Sequence, residues 1–469
     1  MKKTIGIVLI LLIGVYLTYR LVNKAPSSEL TTNEQMVEIM NSGQCLACHN
    51  LNPDKPFYAS WPIVGKIVMA DIIKAQSEID LTSAYNALIN GEKVDVVSLN
   101  KIEKTIMDDN MPQAKYYLAH WGSSINRAEK QMVLNWAKEH RATYYNNDLV
   151  ADKWKNEPVQ PIPDKLETDE NKVRLGKMLY YSTLLSADNT ISCASCHDFD
   201  KGGTDNRPFS VGYLEQVGGV NAPTVFNAYF NFVQFWDGRA ENLAAQAAGP
   251  PLNPIEMASK DFDEICTKLA GNQEIAMTFN EIYPDGITEK NICDAIAEFE
   301  KTLLTPNCPF DQYLKGDDNA ISENAKSGYE LFKKYNCATC HGGINIGGQS
   351  YELLGLKADY FKDRGTTLTE EDYGRGKQEE DIYYDHRFKT PTLRNLTLTA
   401  PYFHDATQAT IEDAVKAMMK YEIGKNISED EVKLLVEFLE TLTGEIPEKR
   451  YEKIWILYLF NNLHFIIQL

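Results

Sequence analysis

The first twenty-odd positions carry almost no polar interruption. Two lysines precede an apolar run from Ile5 to Leu17, and Thr18 to Val22 extend it with Arg20 as the one charge. A long arginine stem can snorkel out of an apolar layer. The run approaches the ~20 residues that a bilayer-spanning helix needs. No small-x-small cleavage site follows, since the flank reads Thr-Tyr-Arg-Leu-Val-Asn-Lys. The pattern therefore predicts an uncleaved N-terminal anchor rather than a removed export signal. Lys2 and Lys3 face Arg20 and Lys24 across the segment, so charge leaves its orientation unassigned.

Further along, the apolar positions recur with helical spacing. "RAEKQMVLNWAKEH", 127–140, places Met132 and Trp136 one turn apart. "SEDEVKLLVEFLETLTG", 428–444, opens with Ser428-x-x-Glu431, a capping box, and ends on Gly444. No long alternating run suggests an extensive sheet. The expected fold class is mainly α, with three small helical domains in series behind a transmembrane helix. Three prolines crowd "NEPVQPIPDK", 156–165, which reads as a linker. The expected divisions are 1–27 as anchor and linker, 28–145 as a first domain, 146–164 as linker, 165–305 and 306–450 as second and third domains, and 451–469 as an apolar tail. That tail is interrupted by Asn461, Asn462 and His464 and is too short for a clear span. It fits a segment lying on a membrane surface and equally one without a role.

Composition narrows the partners. The chain has 469 residues, enough for two or three domains, and 47 basic against 66 acidic side chains, a net charge of −19. So acidic a chain argues against nucleic acid, whose binding rests on lysine and arginine neutralising phosphates. It suits a solvated surface and leaves a basic redox partner open.

Six of the nine cysteines fall into Cys45-x-x-Cys48-His49, Cys193-x-x-Cys196-His197 and Cys337-x-x-Cys340-His341. Each is a c-type haem attachment signature. A histidine directly after the second cysteine suits haem rather than a four-ligand zinc site. Three covalently bound haem c groups are expected, one in each of three cytochrome c-like haem domains in series, and their attachment on the export side puts those domains in the periplasm. Cys266, Cys293 and Cys308 remain. A Cys266–Cys293 disulfide and buried free thiols both fit.

His49, His197 and His341 are the expected proximal iron ligands. His120, His140, His386, His404 and His464 remain for the opposite faces, with methionine as the other usual ligand. Met418 and Met419 follow the third motif. Met111, directly before a proline, is preferred for the first haem, with His120 second. The second haem has no histidine between its own and the next motif. Tyr213 is a poor ligand while neutral, with an ordinary pKa near ~10. That face of the second iron is expected to be open.

From "ENKVRLGKMLYYSTLLSADNTISCASCH" through "NAPTVFNAYFNFVQFWDGRAENLAAQAAGPPLNPIEM" to "FKTPTLRNLTLTAPYFHDATQATIEDAVKAMMKYEIG", the chain strongly resembles the bacterial di-haem cytochrome c peroxidases, over about 165–445. The extra anchored haem domain makes the whole look like the tri-haem, membrane-bound quinol peroxidase branch. The resemblance implies that the haem on Cys193 and Cys196 is the peroxidatic one. The haem on Cys337 and Cys340 would transfer electrons, with Met418 as distal ligand. Trp236 resembles the tryptophan between the two haems. Gln246 and Glu256 resemble the distal pocket pair, with Pro250 beside them. Asn221, with the carbonyls of Thr399 and Pro401, resembles a calcium site, and His404 a histidine near the electron-transfer haem. The family often has a histidine where this chain has Tyr213. The resemblance also implies hydrogen peroxide as substrate, quinol or a small cytochrome or cupredoxin as donor, and allows a homodimer.

The chemistry stands beside the resemblance. Cleaving peroxide needs an open iron and a group that carries a proton from the near oxygen to the far one. Glu256 can do so as base and then acid, while Gln246 can hold the peroxide by a hydrogen bond. Two rival readings are a pure electron-transfer multihaem protein, with all irons six-coordinate, and an enzyme that oxidises tryptophans of a partner protein. The latter replaces the distal methionine with tyrosine, and Met418 argues against it.

Overall fold

The computed structural model describes residues 2–113, 116 and 120–447, so the apolar tail expected at 451–469 lies outside the described residues. The chain divides into two compact units, Met1–Asn146 and Asn147–Leu469. The architecture is mainly helical, with three haem-related segments in series.

In the first unit, the helix Lys2–Val22 contains a 19-residue stretch, Thr4–Val22, of mean hydropathy 2.3, none of it buried. It is long and apolar enough to cross a membrane. Its C-terminal end is tied to the loop before the last helix of the unit: Asn23 Nδ2 donates to Trp121 O (2.8 Å), and Tyr19 Oη pairs with Ser124 Oγ (3.0 Å). Helix Thr32–Ser42 starts in a capping box formed by Thr31 and Glu34. Helix Arg127–Tyr144 starts in another, formed by Asn126 and Glu129. The two pack over a core of Met36, Ile39, Met40, Leu99 and Trp136, so the helical period read at 127–140 turns its tryptophan inward.

The second unit repeats one packing device. Helix Glu170–Tyr181 crosses Glu289–Glu300, and helix Glu323–Lys334 crosses Glu429–Glu440. A glycine sits at each crossing. A Cβ on Gly176 would lie 1.9 Å from Ala295 O, and one on Gly328 would lie 1.9 Å from Leu434 O. Only a missing side chain lets the backbones approach so closely. Helix Glu429–Glu440 begins at the Ser428–Glu431 box as read from sequence, but it stops before Gly444. Gly444 instead packs on Thr305 and donates its N–H to Asn395 Oδ1 (3.0 Å). The one two-stranded sheet among the described residues pairs β1 (Tyr351–Leu353) antiparallel to β2 (Arg387–Lys389), with Tyr351 opposite Lys389.

The proline-rich stretch is not a free tether. Val159 is fully buried in the core of the third segment. Gln160 N donates to Gly343 O (3.1 Å), Gly343 N to Pro158 O (2.8 Å), and Ala151 N to Leu314 O (2.9 Å). The prolines fix an extended strap whose remaining backbone groups find partners on the fold. No two cysteines are bridged to each other, so the Cys266–Cys293 disulfide does not form. Cys293 lies buried in a core, and Cys308 Sγ accepts the N–H of Asp311 (3.3 Å) at the start of a short helix.

Candidate haem and peroxide site

Each Cys-x-x-Cys-His forms a single tight turn. His49 N donates to Cys45 O (3.0 Å), His197 N to Cys193 O (3.0 Å), and His341 N to Cys337 O (2.9 Å). The turn sets the imidazole beside two thiols. His49 Nδ1 pairs with Ile79 O and His197 Nδ1 with Gly203 O, both at 3.1 Å. A carbonyl on Nδ1 fixes it as the N–H and leaves Nε2 with its lone pair for a metal. His341 Nδ1 is buried with no partner in hydrogen-bond geometry. Burial lowers the pKa of all three rings, that of His341 to about 4. Burial pushes the Cys45 thiol up to about 11, and those of Cys193 and Cys337 up to about 12.

These groups fit haem c. The imidazoles are neutral, as iron ligation requires, and the thiols are sequestered for thioether bonds. A zinc ion would instead gather its ligand atoms at one point. Among the described residues, the one cluster gathered that closely is Asp372, His404 and Asp405, which contains none of these cysteines.

The residues expected to serve the second motif lie on the segments that follow it. Glu256 is half-buried, and burial raises its carboxyl pKa above 4.5; Arg239 and a hydrogen bond from Asn253 Nδ2 to Oε1 (2.6 Å) oppose that rise. The Tyr213 turn is stitched to the same segment. Tyr213 N donates to Glu256 O (2.9 Å), and Gln216 Nε2 donates to Pro254 O (2.9 Å). Leu214 within this turn has φ 52° and its side chain is exposed. Gln246 lies on the short helix Leu243–Ala247, capped by Asn242, and Pro250 opens the next turn, Gly249–Leu252. Both are half-buried. Asn253 was missed from sequence, although it stands three residues before Glu256.

Trp236 joins the second and third segments. Its Nε1 donates to Asn221 O (2.8 Å), and its carbonyl accepts from Lys389 N on β2 (2.8 Å). Its ring meets those of Phe388 and His404 edge-on, each at 6.4 Å. Asn221 N donates to His404 O (2.8 Å), so Asn221, Trp236 and His404 form one junction. His404 Nε2 pairs with Asp372 Oδ1 (2.9 Å). Burial would raise the Asp372 carboxyl, but Arg364, bidentate at 2.7 Å, holds it well below the usual range. Arg364 also reaches Asp405 (2.9 Å). The single Arg364 guanidinium thus bridges both carboxylates of the Asp372–His404–Asp405 cluster. Arg364, Asp372 and Asp405 were not read from sequence, because their meeting depends on tertiary contacts.

Around the expected calcium ligands, Asn206 Nδ2 donates to Leu398 O (2.7 Å) and Ala400 O (3.3 Å). The Thr399 and Pro401 carbonyls accept no hydrogen bond from described residues. Asn221 Nδ2 donates to Arg207 O (2.9 Å), which leaves its Oδ1 as the acceptor for a cation. Met419 is buried in the third core, whereas Met418 is half-buried on the preceding turn. In the first unit, Met111 is half-buried. Both ring nitrogens of His120 are engaged, Nε2 with Tyr58 Oη (2.9 Å) and Nδ1 with Tyr116 O (3.3 Å). His140 Nε2 accepts from Val94 N (2.9 Å) and is structural.

Residues 170–319 match the family described as di-haem cytochrome c peroxidase. Residues 5–139 match a haem-binding domain, and 323–439 match cytochrome c oxidase, cbb3-type, subunit III. The chain is 44% identical over 418 residues to the cytochrome c peroxidase Ccp of Escherichia coli strain K12, covering 89% of each chain. It is 39% identical over 302 residues to the cytochrome c551 peroxidase of Pseudomonas aeruginosa, covering 62% of this chain and 86% of that one. A crystal structure of a MauG-like protein associated with microbial copper homeostasis shares the fold at TM-score 0.54 and 24% identity, over 65% of this chain and 96% of that one.

Proposed function

The chain belongs to the di-haem cytochrome c peroxidase family and is a peroxidase-type oxidoreductase; from that premise we propose that it is a tri-haem, membrane-anchored enzyme that reduces hydrogen peroxide to water with quinol-derived electrons. Haem c, held by Cys45, Cys48 and His49, by Cys193, Cys196 and His197, and by Cys337, Cys340 and His341, supplies the iron for electron transfer and peroxide reduction. Met111 and Met418 would help hold the first and third haems. The partner-oxidising reading is disfavoured, because a methionine stands where that chemistry places tyrosine.

The protein's own part is to bind and move protons. Glu256 is the base that takes the proton from the near peroxide oxygen and the acid that returns it to the far one. Burial supports this role, because it brings the carboxyl nearer the working pH. Asn253 orients Glu256 by its 2.6 Å bond. Gln246 donates to the bound peroxide, and Pro250 shapes the pocket beside it. Trp236 bridges the peroxidatic and electron-transfer segments, and Asn221 with the Thr399 and Pro401 carbonyls offers oxygens to calcium, which takes such hard ligands and fills its shell with water. His404, held by Asp372, stiffens that junction.

The helix Lys2–Val22 spans the inner membrane, with the catalytic units in the periplasm. Its bonds from Tyr19 and Asn23 to the folded domain support an anchor that stays attached. The observation that carries the peroxidase reading is Glu256, a half-buried carboxyl raised by burial, held by Asn253 and stitched through its carbonyl to the Tyr213 turn that follows the second attachment motif. Glu256→Gln is expected to retain all three haems yet slow peroxide turnover by about 10²-fold or more, the scale of lost general acid–base help. Near-normal turnover would remove Glu256 from the mechanism.

A further inference from the structure

A row of large apolar side chains on the first unit is left exposed among the described residues. Phe57 is 77% exposed, Ile63 76%, Ile67 55% and Trp61 52%. Phe57 and Trp61 meet edge-on, with ring centroids 5.7 Å apart, and Ile63 and Ile67 continue the row into the first turns of helix Val64–Glu78. Scattered exposed apolar residues are ordinary, but a contiguous set of two aromatics and two isoleucines is not.

Its position identifies what covers it. Tyr58, between Phe57 and Trp61, is bonded to His120 through Tyr58 Oη and Nε2 (2.9 Å). Directly after His120 comes Trp121, itself 52% exposed, whose carbonyl accepts from Asn23 at the end of the apolar N-terminal helix (2.8 Å). The patch therefore lies a few residues' contact away from the point where that helix leaves its apolar stretch. Tryptophan concentrates at such depths, because its ring is apolar and its N–H is wet. The charges fit as well. Between 53 and 67 the chain has Lys55 and Lys66 against Asp54, a small positive excess in a protein of net charge −19. Lysines beside an apolar face suit anionic headgroups.

We propose that the face formed by Phe57, Trp61, Ile63 and Ile67 inserts into the interfacial layer of the same phospholipid bilayer that the N-terminal helix crosses, laying the first haem domain flat on the membrane. This rests on the reading of Lys2–Val22 as a spanning anchor. It gives the domain two attachments instead of one, so that the first haem site is held at the depth from which a lipid-dissolved reductant arrives.

The test uses the full-length, haem-loaded protein in nanodiscs of phosphatidylethanolamine and phosphatidylglycerol doped with a diazirine-acyl phospholipid. After photolysis, the labelled peptides are mapped by mass spectrometry. Label is expected on peptides from 2–22 and from 57–67. It is expected to be absent from peptides carrying Leu214 and Ile382, which are as exposed in the second unit, at 73% and 82%. Trp61→Ser with Ile63→Ser should cut the 57–67 label several-fold, leaving the 2–22 label and the haem spectrum unchanged. Label confined to 2–22 overturns docking and leaves the anchor standing. Label on 57–67 without 2–22 upholds docking and overturns the anchor. Equal label on the Leu214 and Ile382 peptides overturns the proposal, because capture would then follow exposure alone.

Discussion

Removing the Asn253 amide should move the acidic side of the activity profile without touching the haems. Asn253 Nδ2 donates to Glu256 Oε1 at 2.6 Å, a bond to the charged form of the carboxylate. Such bonds are worth about 1.5–3 kcal/mol, and the lower end applies because Glu256 is half-buried. Burial already raises this carboxyl, with Arg239 and Asn253 opposing. Asn253→Ala removes one opposing group, so the carboxyl pKa rises further and the ionised base is lost at a higher pH than in the parent. Under acidic conditions, kcat/KM for peroxide should therefore fall by about 10-fold, which is about 1.4 kcal/mol. At alkaline pH, where Glu256 is ionised in both proteins, the two should converge. The assay is steady-state peroxide consumption with an artificial donor across the pH range, with haem content checked by absorbance. Asn253 Oδ1 also accepts from Ile255 N (3.0 Å), so Asn253→Ser, which can keep that turn, serves as a second variant. An equal loss at every pH, or a limb displaced to lower pH, would refute the assignment of Glu256 as the titrating base.

Three further outcomes follow from the site. Met418→His should lower the potential of the third haem, read by spectroelectrochemistry, since His/His ligation is less oxidising than His/Met; an unchanged potential would point to Met419 or another ligand. The purified enzyme should reduce peroxide without prior reduction of the third haem, because Tyr213 stands where the family often has a ligating histidine; a lag abolished only by pre-reduction would contradict this. Cys45→Ala with Cys48→Ala should abolish quinol-driven peroxide reduction while an artificial donor still feeds the other two haems, and full quinol activity in that variant would exclude the first haem as the entry point.

Local chemistry was readable from the sequence, and its supports were not. The three attachment turns, the Ser428–Glu431 cap and the inward face of 127–140 each depend on residues within a few positions of one another. Asn253 was within the same reach, yet an asparagine in a proline-rich turn reads first as a turn former. Arg364, Asp372 and His404 come together from 364, 372 and 404, and nothing in local spacing announces an arginine that bridges two carboxylates at once. The packing of the stretch read as a linker, 146–164, was hidden for a related reason: proline content reports an extended backbone but not whether a core lies beneath it. Val159 found one.

That strap also sets a timetable. Gln160 O accepts from Arg394 Nη2 at 2.7 Å, across 234 residues of sequence. At about 5–20 residues per second of synthesis, the strap waits roughly 10–50 s for its partner to be made. Throughout that interval Val159 and its neighbours are exposed apolar chain, downstream of a first domain already complete. The second unit can close only late, after all three attachment motifs have been made. A stalled or prematurely ended chain would therefore present Val159 and its strap to proteases, without the core that covers them in the finished fold.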